Sequence, residues 1–401
     1  MPKRVLLAWE LGAGRGHLLI LGWIADALRL RGYEPLFALQ RLDGVETIRE
    51  SIGSAEIYQA PVWPGLLDPS AFHAPGKAVS FGDVIGGLGL GSPVAVEGML
   101  RAWDRLIARI APDAIVADFA PACLMAARGR VPTVAVGDGF TLPPMNLERF
   151  PAIDNEGGER KFDETELLSA ANGTLRKIGR AELKFLPDIF AADRSRASSF
   201  TELDPYRNER NEALAAPWVP EWDISVPMSR DEVFGYFSVA TDVRGTALAA
   251  LAFVARAGVP VRVYIPQLNA EAAKWLAESN IQAEKTAIPF DKIQRRARLV
   301  VSLGSFGFVS CALAAGIPQI VVPLGIAKSA TGMAIDRLGV GRCARVDANN
   351  PLEAALLGQV ILDAFKGEQF TETAKRVAPD FARRLKPSSA ESIAALMSEL
   401  V

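Results

Sequence analysis

Two histidines, His17 and His73, are the only imidazoles in the sequence, so any histidine catalysis depends on one of them. His17 ends the run Gly12-Ala13-Gly14-Arg15-Gly16-His17, which follows an apolar segment and precedes an amphipathic one. This order predicts a strand, a glycine loop and a helix, with His17 in the first helical turn. Open α/β sheets bind ligands at the carboxyl ends of their strands, so His17 is a candidate general base. A structural role is the alternative for His17, and an exposed loop position is the expectation for His73.

Asp118 is the candidate partner for this histidine. It follows the apolar run Ala114-Ile115-Val116-Ala117, which predicts a strand ending at the same sheet edge. A carboxylate beside an imidazole fixes its tautomer and stabilises the imidazolium, so that the neutral ring can take a proton from a hydroxyl. Asp118 is equally suited to cap the helix that follows, and the sequence leaves both roles open.

The glycine loop does not match the common nucleotide-binding motifs. Its third glycine falls one position early for G-x-G-x-x-G, and the second predicted strand ends at Ala38-Leu39-Gln40, without an acid for a ribose hydroxyl. A P-loop would need G-K-[ST], which does not follow. Dinucleotide binding is therefore disfavoured.

Composition excludes several classes of protein. The chain has 401 residues, 44 basic against 46 acidic, so no basic excess is available for nucleic acid. The three cysteines, Cys123, Cys311 and Cys343, are scattered and predict neither a disulfide framework nor a zinc site. We expect no bound metal and a cytoplasmic location. The uncharged stretch 299–327 contains four glycines and two prolines, which favour a buried strand-turn-helix-strand unit over a membrane span.

Alternating strand and helix patterns occur twice, on either side of a stretch rich in proline and tryptophan. They predict two doubly wound parallel α/β domains, at 1–216 and 231–386, joined by a linker at 217–230 and followed by a C-terminal helix at 387–401. Trp218 and Trp222 in the linker are expected to pack between domains. Strands are predicted at 5–9, 35–39, 114–117, 133–136, 198–203, 233–238, 261–265, 281–285, 299–302 and 319–322, and helical pattern at 18–31, 119–128, 162–190, 246–257, 270–278, 306–315 and 390–400.

The segment 60–94 is too long and irregular to be a simple connection. It is rich in glycine, proline and aromatic residues, Trp63 among them, and has few charges. Such a segment suits an apolar or aromatic ligand better than a polyanion.

Several of these segments resemble the GT-B glycosyltransferases, specifically the UDP-glycosyltransferase and natural-product glycosyltransferase family that uses nucleotide sugars. The resemblance extends over nearly the whole chain. It is carried by Gly16-His17, by Pro112-Asp113-Ala114-Ile115-Val116-Ala117-Asp118, by the loop Gly137-Asp138-Gly139-Phe140-Thr141-Leu142-Pro143-Pro144 and by Ala312-Leu313-Ala314-Ala315-Gly316-Ile317-Pro318.

The resemblance implies two Rossmann-like domains facing a central cleft, with the acceptor bound by the N-terminal one. The residue matching His17 is the family's general base, the one matching Asp118 orients it, and the sugar is transferred with inversion without an obligatory metal. Gly16, Phe140 and Trp63 are the expected acceptor-binding residues. The co-substrate is expected to be a UDP- or dTDP-linked sugar.

The donor half departs from the family pattern. The signature H-G-G-x-G-T-x-x-E falls on residues 303–311, where only Gly304 and Gly307 match. Leu303 replaces the histidine and Cys311 the glutamate. The sugar-binding Asp-Gln pair of the family falls on Ala327 and Lys328.

An anion site is still expected in this half, because the loop before a helix presents unpaired amides to a phosphate. Its predicted donor-binding residues are Thr241, Gly304, Ser305, Phe306, Gly307 and Lys328. Lys328 would supply charge to a phosphate or an acidic sugar, although solvation is the ordinary state of a loop lysine.

The sequence thus predicts an inverting glycosyltransferase that moves a sugar from a nucleotide-diphospho-sugar to a hydroxyl of a small, apolar or aromatic acceptor. The main alternative is a non-catalytic GT-B pseudoenzyme or auxiliary protein that has lost its donor ligands. A nucleotide-sugar epimerase is disfavoured, because its chemistry needs several acids and histidines in the cleft.

Overall fold

A computed structural model describes residues 2–12, 15–68, 77–153, 158–225, 229–237, 242–266, 268–346, 350, 352–385 and 389–400. The chain divides into two compact units, Met1–Trp218 with Ser388–Val401, and Val219–Pro387. The predicted linker at 217–230 spans this boundary. His73 and Thr241 lie outside the described residues.

The first unit contains a six-stranded sheet with helices around it. Its strands are β1 (Arg4–Trp9), β2 (Glu34–Leu39), β3 (Ile57–Gln59), β4 (Ala114–Asp118), β5 (Thr133–Asp138) and β6 (Arg194–Ser198). Its helices are α1 (Arg15–Leu30), α2 (Arg49–Ile52), α3 (Pro64–Leu67), α4 (Phe81–Gly87), α5 (Pro93–Ile110), α6 (Pro121–Ala127), α7 (Glu164–Lys177) and α15 (Ser389–Leu400), with 3-10 turns at Val45–Ile48, Leu186–Phe190 and Thr201–Leu203.

The strands of this sheet run parallel in the order β3-β2-β1-β4-β5-β6. Residues Val5, Leu6, Leu7 and Ala8 of β1 are fully buried because helices cover both faces of a parallel sheet. The direction of winding reverses between β1 and β4, which makes their carboxyl ends the expected ligand-binding edge. At that edge Trp9 pairs in register with Asp118.

The second unit repeats this topology. Its strands are β7 (Glu232–Tyr236), β8 (Val261–Tyr264), β9 (Ile281–Glu284), β10 (Ala297–Ser302), β11 (Gln319–Val321) and β12 (Gly341–Cys343), in the order β12-β11-β10-β7-β8-β9. Its helices are α8 (Asp242–Arg256), α9 (Ala270–Glu278), α10 (Phe290–Arg296), α11 (Phe306–Ala314), α12 (Gly325–Leu338), α13 (Glu353–Lys366) and α14 (Gln369–Arg384). All of its strand pairs are parallel.

Most predicted elements are confirmed to within a few residues, and three are corrected. The strand predicted at 198–203 is wrong: β6 ends at Ser198, where its pairing with β5 ends at Asp138, and a 3-10 turn follows. The helix predicted from 119 begins at Pro121, because Phe119 has a left-handed backbone. The helical region 162–190 is α7 and a separate 3-10 turn.

The C-terminal helix α15 belongs to the first unit although it lies at the far end of the sequence. Ile393 and Met397 are fully buried in the same core as Trp218 and the buried face of α1. Among the described residues, no helix combines the length and the apolar character needed to span a bilayer.

We expect Ile393→Ala or Met397→Ala to lower the free energy of unfolding of the first unit by about 2–5 kcal/mol, because each leaves a cavity in its core. Urea titration followed by tryptophan fluorescence measures this loss. Glu399→Ala, at an exposed position of the same helix, is the control and should change little. Equal effects of all three changes would contradict the packing described here.

Candidate active site

The structure brings His17 and Asp118 together at the switch point of the first sheet. His17 lies in the first turn of α1 and Asp118 is the last residue of β4. Nδ1 of His17 is 2.9 Å from Oδ2 of Asp118. The Asp118 side chain is fully buried, whereas 17% of the His17 side chain is exposed. The pair therefore presents the imidazole, and not the carboxylate, to a ligand.

Asp118 does not cap the following helix. The N-cap of α6 is Ala120, and no side chain makes the capping hydrogen bond there. Within the described part of the chain, Oδ1 of Asp118 has no hydrogen-bond partner. The capping role that the sequence left open is thus excluded, and the bond to His17 is the main polar contact of this carboxylate.

The electrostatics of the site favour the imidazolium. Burial of the ring opposes its protonation, but the charge and hydrogen bond of Asp118, together with the charge of Asp138, raise the pKa of His17 above its ordinary value of 6.5. A histidine with a raised pKa is a stronger base than a free one.

Asp138 is a further residue of this sheet edge, and the sequence did not distinguish it as a site residue. It ends β5, and its Oδ1 accepts hydrogen bonds from the amides of Phe140 and Thr141 at 2.9 and 2.8 Å. Burial raises the pKa of Asp138. Its position at the end of a central strand, like that of Asp118, was the available signal.

A buried ion pair between Arg210 and Asp204 holds the loop that carries Phe140. Nε of Arg210 donates to Oδ2 of Asp204 at 2.6 Å, and the two side chains are 4% and 0% exposed. Nη2 of Arg210 also donates to the carbonyls of Gly139 and Leu142, at 3.1 and 2.9 Å. Arg210 therefore fixes both ends of the turn at Phe140.

Phe140 lies in a phenylalanine cluster that reaches His17. Its ring centroid is 5.6 Å from that of Phe81, which is 5.8 Å from Phe119. Phe119 in turn stacks on His17. Phe119 and Phe140 are only 7% and 9% exposed, so a buried apolar cluster lies beside the imidazole.

Trp63, expected to contact acceptor, is a core residue. It is fully buried and its indole Nε1 donates to Oε2 of Glu10 at 2.9 Å. Glu10 also accepts from the amides of Ala122 and Cys123 at the start of α6. Burial raises the pKa of Glu10 to about 7. Trp63 and Glu10 thus anchor the segment around α3 and leave no face of Trp63 for a ligand.

Gly16 is exposed in the first turn of α1, and a Cβ there would meet no atom within 4 Å. The structure of this unit therefore does not itself require glycine at position 16. Gly12 is different, because a Cβ there would lie 2.4 Å from Nε2 of His17.

In the second unit, the described residues that were predicted to bind the donor lie close to the carboxyl end of β10. Ser305 precedes α11 without capping it by its side chain, and Phe306 and Gly307 form the first turn. Gly304 has φ +85°, and a Cβ there would lie 3.3 Å from Cβ of Lys328. The lysine of the next helix therefore packs directly on the glycine loop.

Lys328 is partly buried in the first turn of α12, and burial lowers its pKa. A cation is unfavourable at a helix N-terminus, because the helix dipole is positive there. In the described ranges no acidic side chain pairs with it. An anion bound at this loop would relieve both effects.

Leu303 and Cys311, which replace polar residues of the family signature, are packing residues. They are 1% and 3% exposed and lie in the two apolar cores on either side of the second sheet. Both side chains therefore lie in the protein interior. The polar groups at the glycine loop are backbone amides and Lys328.

Comparisons with known proteins identify the fold. No protein-family model and no curated protein sequence matches the chain. Among solved structures, the calicheamicin glycosyltransferase CalG4 matches with TM-score 0.70 and 18% identity over 100% of this chain and 98% of that one. The kitacinnamycin glycosyltransferase matches at 0.67 and 15% over 100% and 99%. A UDP-glucosyltransferase of Polygonum tinctorium matches at 0.64 and 16% over 100% and 98%.

These similarities, together with two six-stranded parallel sheets of the same doubly wound order, show that the chain has the GT-B fold. The fold class predicted from the sequence is confirmed. At identities of 15–18%, the likeness shows the fold alone.

We expect the imidazole of His17 to titrate above pH 6.5, and Asp118→Asn to lower that pKa. Because the folded-state pKa is raised, protonated His17 stabilises the fold fully below pH 6.5, and this contribution is lost as the pH rises through the raised value. NMR of the His73→Gln variant, which retains one imidazole, measures the titration. A pKa of His17 that is unchanged by Asp118→Asn would contradict the pairing.

We expect Arg210→Ala to lower the free energy of unfolding by about 3–5 kcal/mol, because it leaves Asp204 buried and unpaired. The double variant Asp204→Ala, Arg210→Ala should be less destabilised than the sum of the single variants. Chemical denaturation of the four proteins measures this coupling. Arg49→Ala, which removes an exposed pair with Glu46, is the control and should change little.

Proposed function

We propose that the protein is a glycosyltransferase that moves a sugar from a nucleotide-diphospho-sugar to a hydroxyl of a small acceptor, with inversion. The observation that carries the proposal is the His17–Asp118 pair, with Nδ1 on a buried carboxylate and Nε2 unused by it, at the switch point of the first sheet. This is the arrangement of a general base.

In the proposed reaction, Nε2 of neutral His17 takes the proton of the acceptor hydroxyl. The acceptor oxygen forms a bond to the anomeric carbon while the bond from that carbon to the diphosphate oxygen breaks. Asp118 stabilises the resulting imidazolium, and the nucleoside diphosphate leaves with the bonding electron pair. A single displacement of this kind inverts the configuration at the anomeric carbon.

The second unit is proposed to hold the diphosphate. The amides of Phe306 and Gly307 and the ammonium of Lys328 supply positive potential to the charge that develops on the leaving group. Two solved structures of the same fold support a nucleotide diphosphate, since one is described in complex with dTDP and another is a UDP-glucosyltransferase. The proposed donor is therefore a UDP- or dTDP-linked sugar.

The proposed acceptor is apolar or aromatic. Phe140 lies in the phenylalanine cluster that reaches His17, and apolar walls with few polar groups are typical of sites for such ligands. Another solved structure of the fold is described with spinosyn aglycone. We propose that no step of the reaction uses a metal. We also propose that the protein acts in the cytoplasm.

A non-catalytic GT-B protein is the alternative, because Leu303 and Cys311 have become core residues. Such a protein would not need a histidine of raised pKa on a buried carboxylate. Transfer activity and nucleotide binding separate the two proposals.

We expect the wild type to join a hexose from a UDP- or dTDP-sugar to members of a panel of phenols and apolar alcohols, detected as product mass. His17→Ala should lower kcat by about 10²–10⁴-fold. Because the base must be neutral, the rate should rise with pH through a pKa above 6.5. Product from His17→Ala at the wild-type rate would contradict the proposed base.

We expect Lys328→Ala to weaken binding of UDP or dTDP about tenfold in calorimetry, because the diphosphate loses a charged partner. Lys274→Ala, at a side chain 78% exposed on α9, is the matched control. If neither nucleotide binds the wild type at millimolar concentration and no product forms, the non-catalytic alternative is favoured.

A further inference from the structure

The imidazole of His17 is the middle ring of a stack of three. Its centroid is 5.3 Å from that of Trp9 and 6.0 Å from that of Phe119, with interplanar angles of 20° and 21°. Its Nδ1 edge is on Asp118, and its Nε2 edge faces Gly12, which has no Cβ to collide with it. Both faces of the ring and its Nδ1 edge are therefore held, and the missing Cβ of Gly12 leaves space at Nε2.

Phe119 reaches this stack through an unfavourable backbone conformation. Its φ is +49°, in the left-handed region that bulky residues avoid. In a regular strand, side chains of successive residues point to opposite faces, so Phe119 could not lie on the ring that Asp118 binds. The left-handed residue breaks this alternation directly after Asp118. Its carbonyl accepts a hydrogen bond from the amide of Leu11 at 3.1 Å, which ties the turn to the glycine loop.

Two further phenylalanine rings, those of Phe190 and Phe81, also contact the ring of Phe119. It stacks on Phe190 at 6.4 Å and meets the edge of Phe81 at 5.8 Å. Phe150 contacts Phe81 in the same cluster, one ring further from His17. The cluster thus supports Phe119 as a fixed wall against the imidazole.

We infer that Phe119 is a positioning residue, whose left-handed backbone and buried ring fix the plane of the His17 imidazole and so the position of Nε2. This inference rests on the proposed function of His17 as a base. One hydrogen bond at Nδ1 holds the ring in place but leaves its plane free to tilt, and the rings of Trp9 and Phe119 remove that freedom. Small misplacements of a reacting group can cost a hundredfold in rate. The aromatic faces also favour the imidazolium that forms on proton transfer.

The test compares Phe119→Leu, Phe119→Tyr and the control Phe150→Leu, all with His73→Gln so that His17 gives the only imidazole signal. Phe119→Leu should broaden or shift the His17 ring resonances, lower its pKa and reduce kcat about 10- to 100-fold, with a smaller change in acceptor KM. Phe119→Tyr keeps the ring and should restore wild-type values. Phe150→Leu removes a ring of the same cluster and should leave the His17 spectrum and titration unchanged.

Phe119→Gly and Phe119→Ala separate folding from positioning. Glycine relieves the backbone strain, so its thermal midpoint should be higher than that of the alanine variant, while both should disturb His17 equally. If the glycine variant is well folded and its His17 resonances and pKa match the wild type, the inference is overturned. It is also overturned if Phe150→Leu disturbs His17 as much as Phe119→Leu.

These spectra do not depend on turnover. A wild type without transfer activity would refute the proposed function, yet the ring measurements would still decide whether Phe119 positions His17. Normal spectra in Phe119→Leu with intact wild-type transfer would refute the positioning role alone.

Discussion

The hydrogen bond between Asp118 and His17 joins the end of β4 to the first turn of α1 in the first unit. An acid at the end of a central strand is cut off from water, and burying a carboxylate without a partner is costly. His17, which follows β1 in the chain, is therefore the partner that this carboxylate needs at the end of β4. Strands β1 and β4 are neighbours only because the winding of the sheet reverses between them. The same bond occupies Nδ1, so Nε2 is the ring nitrogen left for the proposed proton transfer.

Packing around this bond follows from the same requirement. The ring of His17 lies between the rings of Trp9 and Phe119. Trp9 ends β1 and Phe119 directly follows β4, the adjacent strand. Phe119 connects it to a phenylalanine cluster, and the Asp204–Arg210 pair holds the turn that carries Phe140 into that cluster. Buried polar pairs thus fix the loops, and aromatic rings form an apolar cluster beside the imidazole.

The second unit has the same sheet topology, but it has no His–Asp pair in its described residues at the corresponding sheet edge. Its sheet edge carries a glycine loop, an uncapped helix start and a lysine, while two positions that would be polar in the resembling family are buried leucine and cysteine. Positive potential there comes from backbone amides and one ammonium. The proposed anion binding at this edge would use backbone amides, which do not require those two side chains.

The sequence by itself determined the two doubly wound units, most strand positions and the candidacy of His17 and Asp118, because strand periodicity and glycine loops are local signals. It failed where the outcome depended on contacts between distant segments. Trp63 lies in an aromatic segment typical of binding sites, but it is buried and donates a hydrogen bond to buried Glu10. Asp138 and Phe119 come close to His17 only because the sheet brings the ends of their strands together. Only the tertiary structure could decide these roles, because burial, a left-handed residue and the meeting of β1 with β4 are set by packing across more than a hundred residues of chain.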